Sequence, residues 1–191
     1  MMKRALFSLG MLAAFAAPAA AQTTQPRLSV EPYVGYGFFG DLPETNSKLE
    51  AGVAYGGRAS FQLSPQWALF GNYQRSDVQQ TTEVAGQDVD RGDLNVDHWA
   101  AGVEFSFVPR GGAEGMLPIL LEAGVGQVRY DRLAGQREAE SDLAVKLGVS
   151  SALQLSRNLG IRYGVDDYIS NFRDNGFANQ IFVRVGAELS F

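Results

Sequence analysis

The sequence predicts an all-β protein, an eight-stranded antiparallel up-and-down β-barrel that crosses a membrane. Three observations favour this fold class. Apolar residues recur at every second position over most of the chain, which is the period of a strand with two different faces. The alternating runs exceed the ~5–6 residues of a common globular strand and suffice for the ~9–11 residues of a tilted membrane crossing. The connections alternate between short turns and long polar loops, as they do in transmembrane barrels.

The first four strands are predicted from runs in which apolar side chains alternate with polar or small ones. In the first run, 28–38, Val30 and Val34 stand on one face and Glu31 and Gly35 on the other. The next three apolar sets are Val53, Tyr55, Ala59, Phe61 and Leu63, then Trp67, Leu69 and Tyr73, then Trp99, Ala101, Val103, Phe105 and Phe107.

The last four strands continue the same period to the final residue, and no segment shows a helical period. Their apolar sets are Leu117, Ile119, Leu121, Ala123 and Val125, then Leu143, Val145, Leu147, Val149, Leu153 and Leu155, then Leu159, Ile161, Tyr163 and Val165, and last Ile181, Val183, Val185, Ala187, Leu189 and Phe191.

The connections predict how the barrel is oriented. Residues 64–66, 109–115 and 156–158 are rich in Pro, Gly, Asn and Ser and are predicted to be turns. Longer polar segments, predicted to be loops, occupy residues 40–50, 77–96, 131–140 and 171–177. In transmembrane barrels the short turns face the periplasm and the long loops face outward. We therefore expect both ends of the mature chain on the periplasmic side.

The N-terminus is predicted to be a cleaved signal peptide, residues 1–21. Lys3 and Arg4 precede an apolar stretch that is short for a membrane anchor, and Ala19-Ala20-Ala21 forms the small-residue cleavage site. A short polar lead, 22–26, then precedes the barrel, 27–191. The chain is therefore interpreted as an exported bacterial protein.

Composition excludes several other classes of protein. A mean hydropathy of −0.10 argues against a bundle of transmembrane helices. The absence of cysteine excludes a disulfide scaffold, a thiolate metal site and a cysteine nucleophile. A net charge of −5 argues against nucleic-acid binding, which usually requires a basic face.

The polar face carries charges of both signs, which favours a plugged lumen over a water channel. They are Glu31, Glu104, Glu122, Asp166 and Glu188 with Arg58, Lys146, Arg162 and Arg184. Neighbouring strands are expected to pair Glu31 with Arg58, Glu122 with Lys146 and Arg162 with Glu188, and closure of the barrel to bring Arg184 near Glu31. A soluble β-sandwich or lipocalin would instead place the same charges on a wet exterior.

Aromatic residues distinguish these two interpretations, because membrane barrels carry aromatic girdles at both interfaces. On the apolar face Tyr36, Phe38, Tyr55, Tyr73 and Trp99 lie near the outer loops, and Phe61, Trp67, Phe105, Phe107 and Phe191 lie near the inner turns. This placement favours the membrane barrel.

The chain resembles the small outer-membrane β-barrel superfamily of OmpA/OmpX-type eight-stranded barrels over residues 27–191. The resemblance rests on terminal Phe191, preceded at alternate positions by Leu189, Ala187, Val185 and Val183, and on the seventh-strand segment 160–168. It implies a place in the Gram-negative cell envelope, in the outer membrane. It also implies that Phe191 is the signal for the barrel-assembly machinery, that periplasmic chaperones bind the chain in transit, and that its surroundings are outer-membrane lipid and lipopolysaccharide.

We expect a monomer with a structural or surface-interaction role, without enzymatic activity, cofactor or metal. Two alternatives remain open. A lipid A-modifying enzyme would use His98 and Ser76 at the outer rim, although neighbouring Asp97 points to the opposite face from His98. The other alternative is a small porin-like channel for apolar solutes, similar to OmpW.

The acidic segment 77–97 leaves two further questions open. Its stretch 88–93 is similar to a calcium loop with Gly and Asp transposed, so whether it binds a cation is undecided. The same stretch contains Arg91-Gly92-Asp93, an integrin-type tripeptide, although tripeptides recur by chance.

Overall fold

A computed structural model describes residues 28–40, 47–84, 87–108, 117–131, 139–172 and 176–191. The predicted signal peptide 1–21, the polar lead 22–26 and the turn at 109–115 lie outside the described residues. The described residues contain no helix long and apolar enough to cross a membrane.

Nine antiparallel strands make up the described chain. They are β1 (Leu28–Phe39), β2 (Ser47–Leu49), β3 (Gly52–Gln62), β4 (Trp67–Val84), β5 (Gln87–Ser106), β6 (Ile119–Tyr130), β7 (Glu140–Gln154), β8 (Leu159–Phe172) and β9 (Gly176–Ser190). Eight of them form a ring, because β1 pairs with both β3 and β9 while β4 pairs with β5. The predicted eight-stranded up-and-down barrel is confirmed. Strand β2 is an addition that pairs only with the outer part of β4.

Two of the three predicted short turns, 64–66 and 156–158, are present at one end of the described barrel. Ser64 Oγ accepts a hydrogen bond from the Trp67 amide at 3.1 Å, and Ser156 Oγ accepts one from the Leu159 amide at 3.2 Å. These serine hydroxyls satisfy backbone donors that the strand ladder cannot reach at a tight reversal.

The prediction of a long loop at 77–96 is wrong, because β4 runs to Val84 and β5 begins at Gln87. The polar pattern marks the point where the strands leave the membrane, not where they end. Beyond that point Val78, Leu94 and Val96 turn inward and are buried. The backbone hydrogen bonds between β4 and β5 form in water as well as in lipid. Polar side chains therefore do not end the two strands.

Two of the other three predicted outer loops are also shorter than predicted. Strand β2 lies inside 40–50, and β8 and β9 extend into 171–177, ending at Phe172 and beginning at Gly176. Gly92 has a φ of +98° where the pairing of β4 with β5 shifts by one residue, the geometry of a β-bulge.

The apolar face points out of the barrel and the charged face points in. Val125 is 65% exposed and Val149 52%, whereas Lys146 is 1% exposed and Arg162 fully buried. A soluble barrel would show the opposite arrangement, so the soluble interpretation is wrong. On the inner face of the wall β5 and β6 approach so closely that a Cβ at Gly102 or Gly126 would collide with a backbone carbonyl of the other strand.

Candidate functional site

The centre of the lumen is Glu122, which projects inward from β6. Its carboxylate contacts Arg162 Nη2 at 2.6 Å, Arg184 Nη2 at 3.0 Å and Arg58 Nε at 3.8 Å, and it accepts a hydrogen bond from Lys146 Nζ. These four cations come from β8, β9, β3 and β7. One carboxylate therefore ties together strands on both sides of the barrel.

Glu31 of β1 and Glu104 of β5 extend this network. Glu104 accepts hydrogen bonds from Arg58 Nη2 at 2.6 Å and from Arg162 Nη2. Glu31 accepts one from Arg184 Nη1, and its other oxygen lies 3.5 Å from Arg162 Nε and 4.0 Å from Arg58 Nη1. All five groups are almost fully buried. Each charge thus has opposite charges around it in place of water.

Asp166 and Glu188 project into the lumen from β8 and β9. Asp166 accepts hydrogen bonds from Arg184 Nε at 2.7 Å and from Lys146 Nζ at 2.9 Å. Glu188 lies 3.7 Å from Arg162 Nη1. Ser150 extends the network, because its hydroxyl accepts from Arg162 Nη2 at 2.8 Å and lies 3.3 Å from Glu122 Oε1.

The structure brings together all nine charged residues singled out in the sequence, but with different principal partners. Each expected neighbour pair is within ion-pair distance. The short contacts of Arg162, however, run to Glu104 and Glu122 on β5 and β6, across the lumen, and its neighbour Glu188 is the more distant partner. Contacts across the barrel depend on how the ring closes and on its shear, and neither can be deduced from which strands are adjacent.

The sequence analysis did not connect any inward-facing aromatic ring with the charges of the lumen. The Phe70 ring has Lys146 Nζ 4.8 Å and the Arg58 guanidinium 4.9 Å from its centroid, and the Arg184 guanidinium lies 5.3 Å from the Tyr33 ring centroid. Such cation–π contacts give buried cations a partial substitute for water. The sequence could have predicted that Phe70 points inward, because it follows outward-facing Leu69 and successive side chains of a strand point to opposite faces.

A second layer of side chains fills the lumen on the outer side of the charges. The His98 ring packs against Tyr168 and Phe182, with centroids 4.8 and 4.9 Å apart. His98 Nε2 pairs with Gln180 Oε1, and the Gln180 amide donates to Tyr130 Oη at 2.5 Å. Farther out, a buried apolar cluster includes Val78, Leu94, Val96, Val128 and Ala178.

The placement of His98 at the outer rim, on which the enzyme alternative depends, is wrong. His98 and Ser76 are both fully buried and face the lumen, and Ser76 Oγ has no hydrogen-bond partner among the described residues. Asp97 points to the outer face, where it pairs with Arg75. The described residues therefore do not form a nucleophile–base–carboxylate arrangement at a lipid-accessible surface. His98 points inward because it is separated by an even number of residues from Ala100 and Glu104 on β5, and alternate residues of a strand share one face.

The described residues of the acidic segment 77–97 belong to the paired strands β4 and β5, and the carboxylates described there do not converge. Among the described residues no group of three Asp, Glu or His side chains is arranged to hold a metal ion. The Asp90 carboxylate accepts a hydrogen bond from the Gly92 amide at 2.7 Å. The side chain of Asp88, the first position of the calcium-like stretch, lies outside the described residues.

Phe191 lies at the seam that closes the barrel. Its amide donates to the Leu28 carbonyl at 2.8 Å, and its side chain is 71% exposed on the apolar outer face. The last residue of the chain is therefore both part of the closing hydrogen-bond ladder and accessible to lipid or to a partner.

A closed ring of eight strands with an apolar exterior and a charged interior defines a transmembrane β-barrel of the outer-membrane type. The chain belongs to the family of the outer membrane protein beta-barrel domain, whose model matches residues 7–191. It is accordingly a protein of the bacterial outer membrane. A comparison with curated protein sequences finds no match.

Solved structures of outer-membrane barrels share this fold at low sequence identity. OprG from Pseudomonas aeruginosa has a TM-score of 0.62 at 9% identity, covering 87% of this chain and 95% of that one. Neisserial surface protein A has 0.60 at 10% identity, covering 88% and 100%. The N-terminal barrel domain of P. aeruginosa OprF has 0.58 at 12% identity, covering 87% and 100%. At these identities the likeness concerns the fold alone.

Proposed function

We propose that this protein is a side-chain-plugged outer-membrane barrel, without enzymatic activity, that anchors an outward β-hairpin at the cell surface. The observation that carries the proposal is the position of Glu122, held by four cations from four other strands. A solute crossing the barrel would have to separate these buried ion pairs, which is costly because a buried charge without its partner is strongly destabilising. The role is therefore structural or one of surface interaction, and the partners are lipid, lipopolysaccharide and the ligand of the hairpin.

Conductance tests the plug directly. In planar bilayers the purified protein is expected to give no discrete ion-conducting steps, because the charge layer and the apolar cluster beyond it block the lumen in series. Protein confirmed as folded by its heat-dependent shift on a denaturing gel is the sample to use. Reproducible single-channel steps from that sample would show that the lumen conducts and would contradict the plug.

A channel for apolar solutes has one observation in its favour, at the seam between β1 and β9. Their pairing is interrupted at Glu31 and Pro32, where the Pro32 nitrogen faces β9 and has no hydrogen to donate. A surface depression of about 430 Å³ lined by Val34, Ile161, Val185 and others lies at this seam. Directly behind it is the Glu31–Arg184 ion pair, however, so an apolar solute entering here would meet buried charges. We therefore favour the closed barrel.

A lipid A-modifying activity is disfavoured by the inward burial of His98 and Ser76. The comparison that tests it is the mass spectrum of lipid A from cells with and without the protein. We expect identical acyl-chain distributions in the two samples, since neither side chain reaches lipid. A difference in acyl-chain number that is lost in His98→Ala and Ser76→Ala, and kept in Ser64→Ala at the inner turn, would establish an enzyme.

We further propose that residues 1–21 are removed on export and that Phe191 is the assembly signal of a monomeric barrel. Deleting Phe191 is expected to lower the amount of folded protein in the outer membrane several-fold while export across the inner membrane continues. The physical reason is that the seam loses both its last backbone donor and an exposed aromatic ring. Heat-modifiable protein in outer-membrane fractions is the measurement, and Phe107→Ala, directly after the inner end of β5, is the control. An unchanged amount after the deletion would contradict the assignment.

A further inference from the structure

A row of side chains crosses four neighbouring strands on the outer face of the barrel, one step beyond the outer aromatic girdle. Backbone pairing places Tyr55 beside Arg75, Arg75 beside Asp97 and Asp97 beside Arg129. One step toward the membrane centre the Tyr73 and Trp99 rings are in contact, with centroids 6.0 Å apart. Aromatic girdles mark the level of the lipid headgroups. We name Arg75, Asp97 and Arg129 the arginine row.

Asp97 is fully engaged within this row. Its carboxylate accepts hydrogen bonds from Arg75 Nε at 2.8 Å, from Arg75 Nη2 at 2.9 Å and from Tyr73 Oη at 2.9 Å. The bidentate contact neutralises Arg75 and fixes the plane of its guanidinium, leaving Nη1 for an external acceptor. The Arg75 side chain is 37% exposed, so this nitrogen is accessible from the membrane surface.

Arg129 is the one residue of the row whose charge is not balanced, because Arg75 and Asp97 neutralise each other. It is exposed and lies directly across from Asp97, and it makes no ion pair or hydrogen bond with the part of the chain that the structure describes. The row therefore carries one surplus positive charge at headgroup level. The next residues outward on β4 and after β6 are Asp77 and Asp131, both exposed. An anion in solution would approach past these carboxylates, whereas an anion held in the outer leaflet would not.

We propose that the arginine row binds a phosphate group on a glycolipid of the outer leaflet, with Arg129 as the main ligand and Arg75 beside it. Guanidinium groups suit this ligand because their planar fork matches two phosphate oxygens. The inference rests on the outward orientation assigned under the proposed function. It requires nothing of the plugged lumen, since every residue of the row is on the outside.

Native mass spectrometry of the whole folded protein in detergent tests the site, with bisphosphorylated lipid A as the probe and dephosphorylated lipid A for comparison. The unaltered protein is expected to bind the phosphorylated form about tenfold more tightly, the size of one charge-assisted contact. Arg129→Gln is expected to lose this preference and to fold normally, because Arg129 has no partner to lose among the described residues. Arg157→Gln is the matched control, an exposed arginine in the inner turn.

Three results would overturn the proposal. They are equal binding of the two lipid A forms, an undiminished preference in Arg129→Gln, and competition by inorganic phosphate at the concentration of the lipid, which would make free phosphate the ligand. Heat-dependent gel mobility of each variant confirms folding. Failure here is distinguishable from failure of the plug, because conductance reports on the lumen and lipid A preference reports on the outer rim.

Discussion

Replacing Glu122 with alanine is expected to lower the free energy of unfolding by about 3–5 kcal/mol, the cost of breaking a buried ion pair. The change leaves Arg58, Lys146, Arg162 and Arg184 facing an empty volume at the centre of the lumen. Their remaining carboxylates lie to the sides and cannot fill it. Urea titration in phospholipid vesicles, followed by the fluorescence of Trp67 and Trp99, measures the effect.

Two further variants identify the cause of the loss. Glu122→Gln keeps the side-chain volume and removes the charge. If it lowers the free energy of unfolding about as much as Glu122→Ala does, the effect is due to the ion pairs. Glu50→Ala changes an exposed glutamate outside the barrel wall and is expected to stay within about 0.5 kcal/mol of the unaltered protein. A Glu122→Ala barrel that unfolds within about 1 kcal/mol of the unaltered protein would show that the network is not the centre of the plug.

Arg162→Ala is the second change with a large expected effect, again about 3–5 kcal/mol. Arg162 is fully buried and donates to Glu104, Glu122 and Ser150. Its loss leaves five lumen carboxylates with three cations. The same urea titration applies, and Arg157→Ala at the exposed inner turn is the matched control, expected to lie within about 0.5 kcal/mol.

Double-mutant cycles resolve which partner of Arg162 dominates. Coupling with Glu104 is expected at about 1–3 kcal/mol and coupling with Glu188 at less than about 0.5 kcal/mol. The reason is geometric, because Glu104 accepts a hydrogen bond from Arg162 whereas Glu188 lies 3.7 Å away. Stronger coupling with neighbouring Glu188 than with Glu104 would contradict the cross-lumen arrangement.

Much of the barrel could be predicted from alternation alone, and the error at 77–96 shows where that signal fails. Within the membrane the outer face must be apolar, so the prediction that Leu69 and Trp99 point outward is correct. Above the girdle water surrounds the barrel, and Val78 and Leu94 become the buried side of the same strands. The alternation continues beyond the girdle, but the apolar residues now stand on the inward face instead of the outward face. A search for apolar residues on the outward face therefore ends before the strand does.

The sequence by itself determined the eight-stranded ring, the membrane-facing surface and the set of charged residues inside. It could do so because lipid requires every backbone group to pair within the protein, and a two-residue period then assigns each side chain to one face. The tertiary structure alone decided which of these charges meet. Closure and shear bring Glu122 of β6 against Arg58 of β3 and Arg184 of β9, and they set the inward-facing His98 ring against Tyr168 of β8 and Phe182 of β9. Such contacts depend on distances across the lumen, which are set by the whole ring of strands and not by any two adjacent segments of the chain.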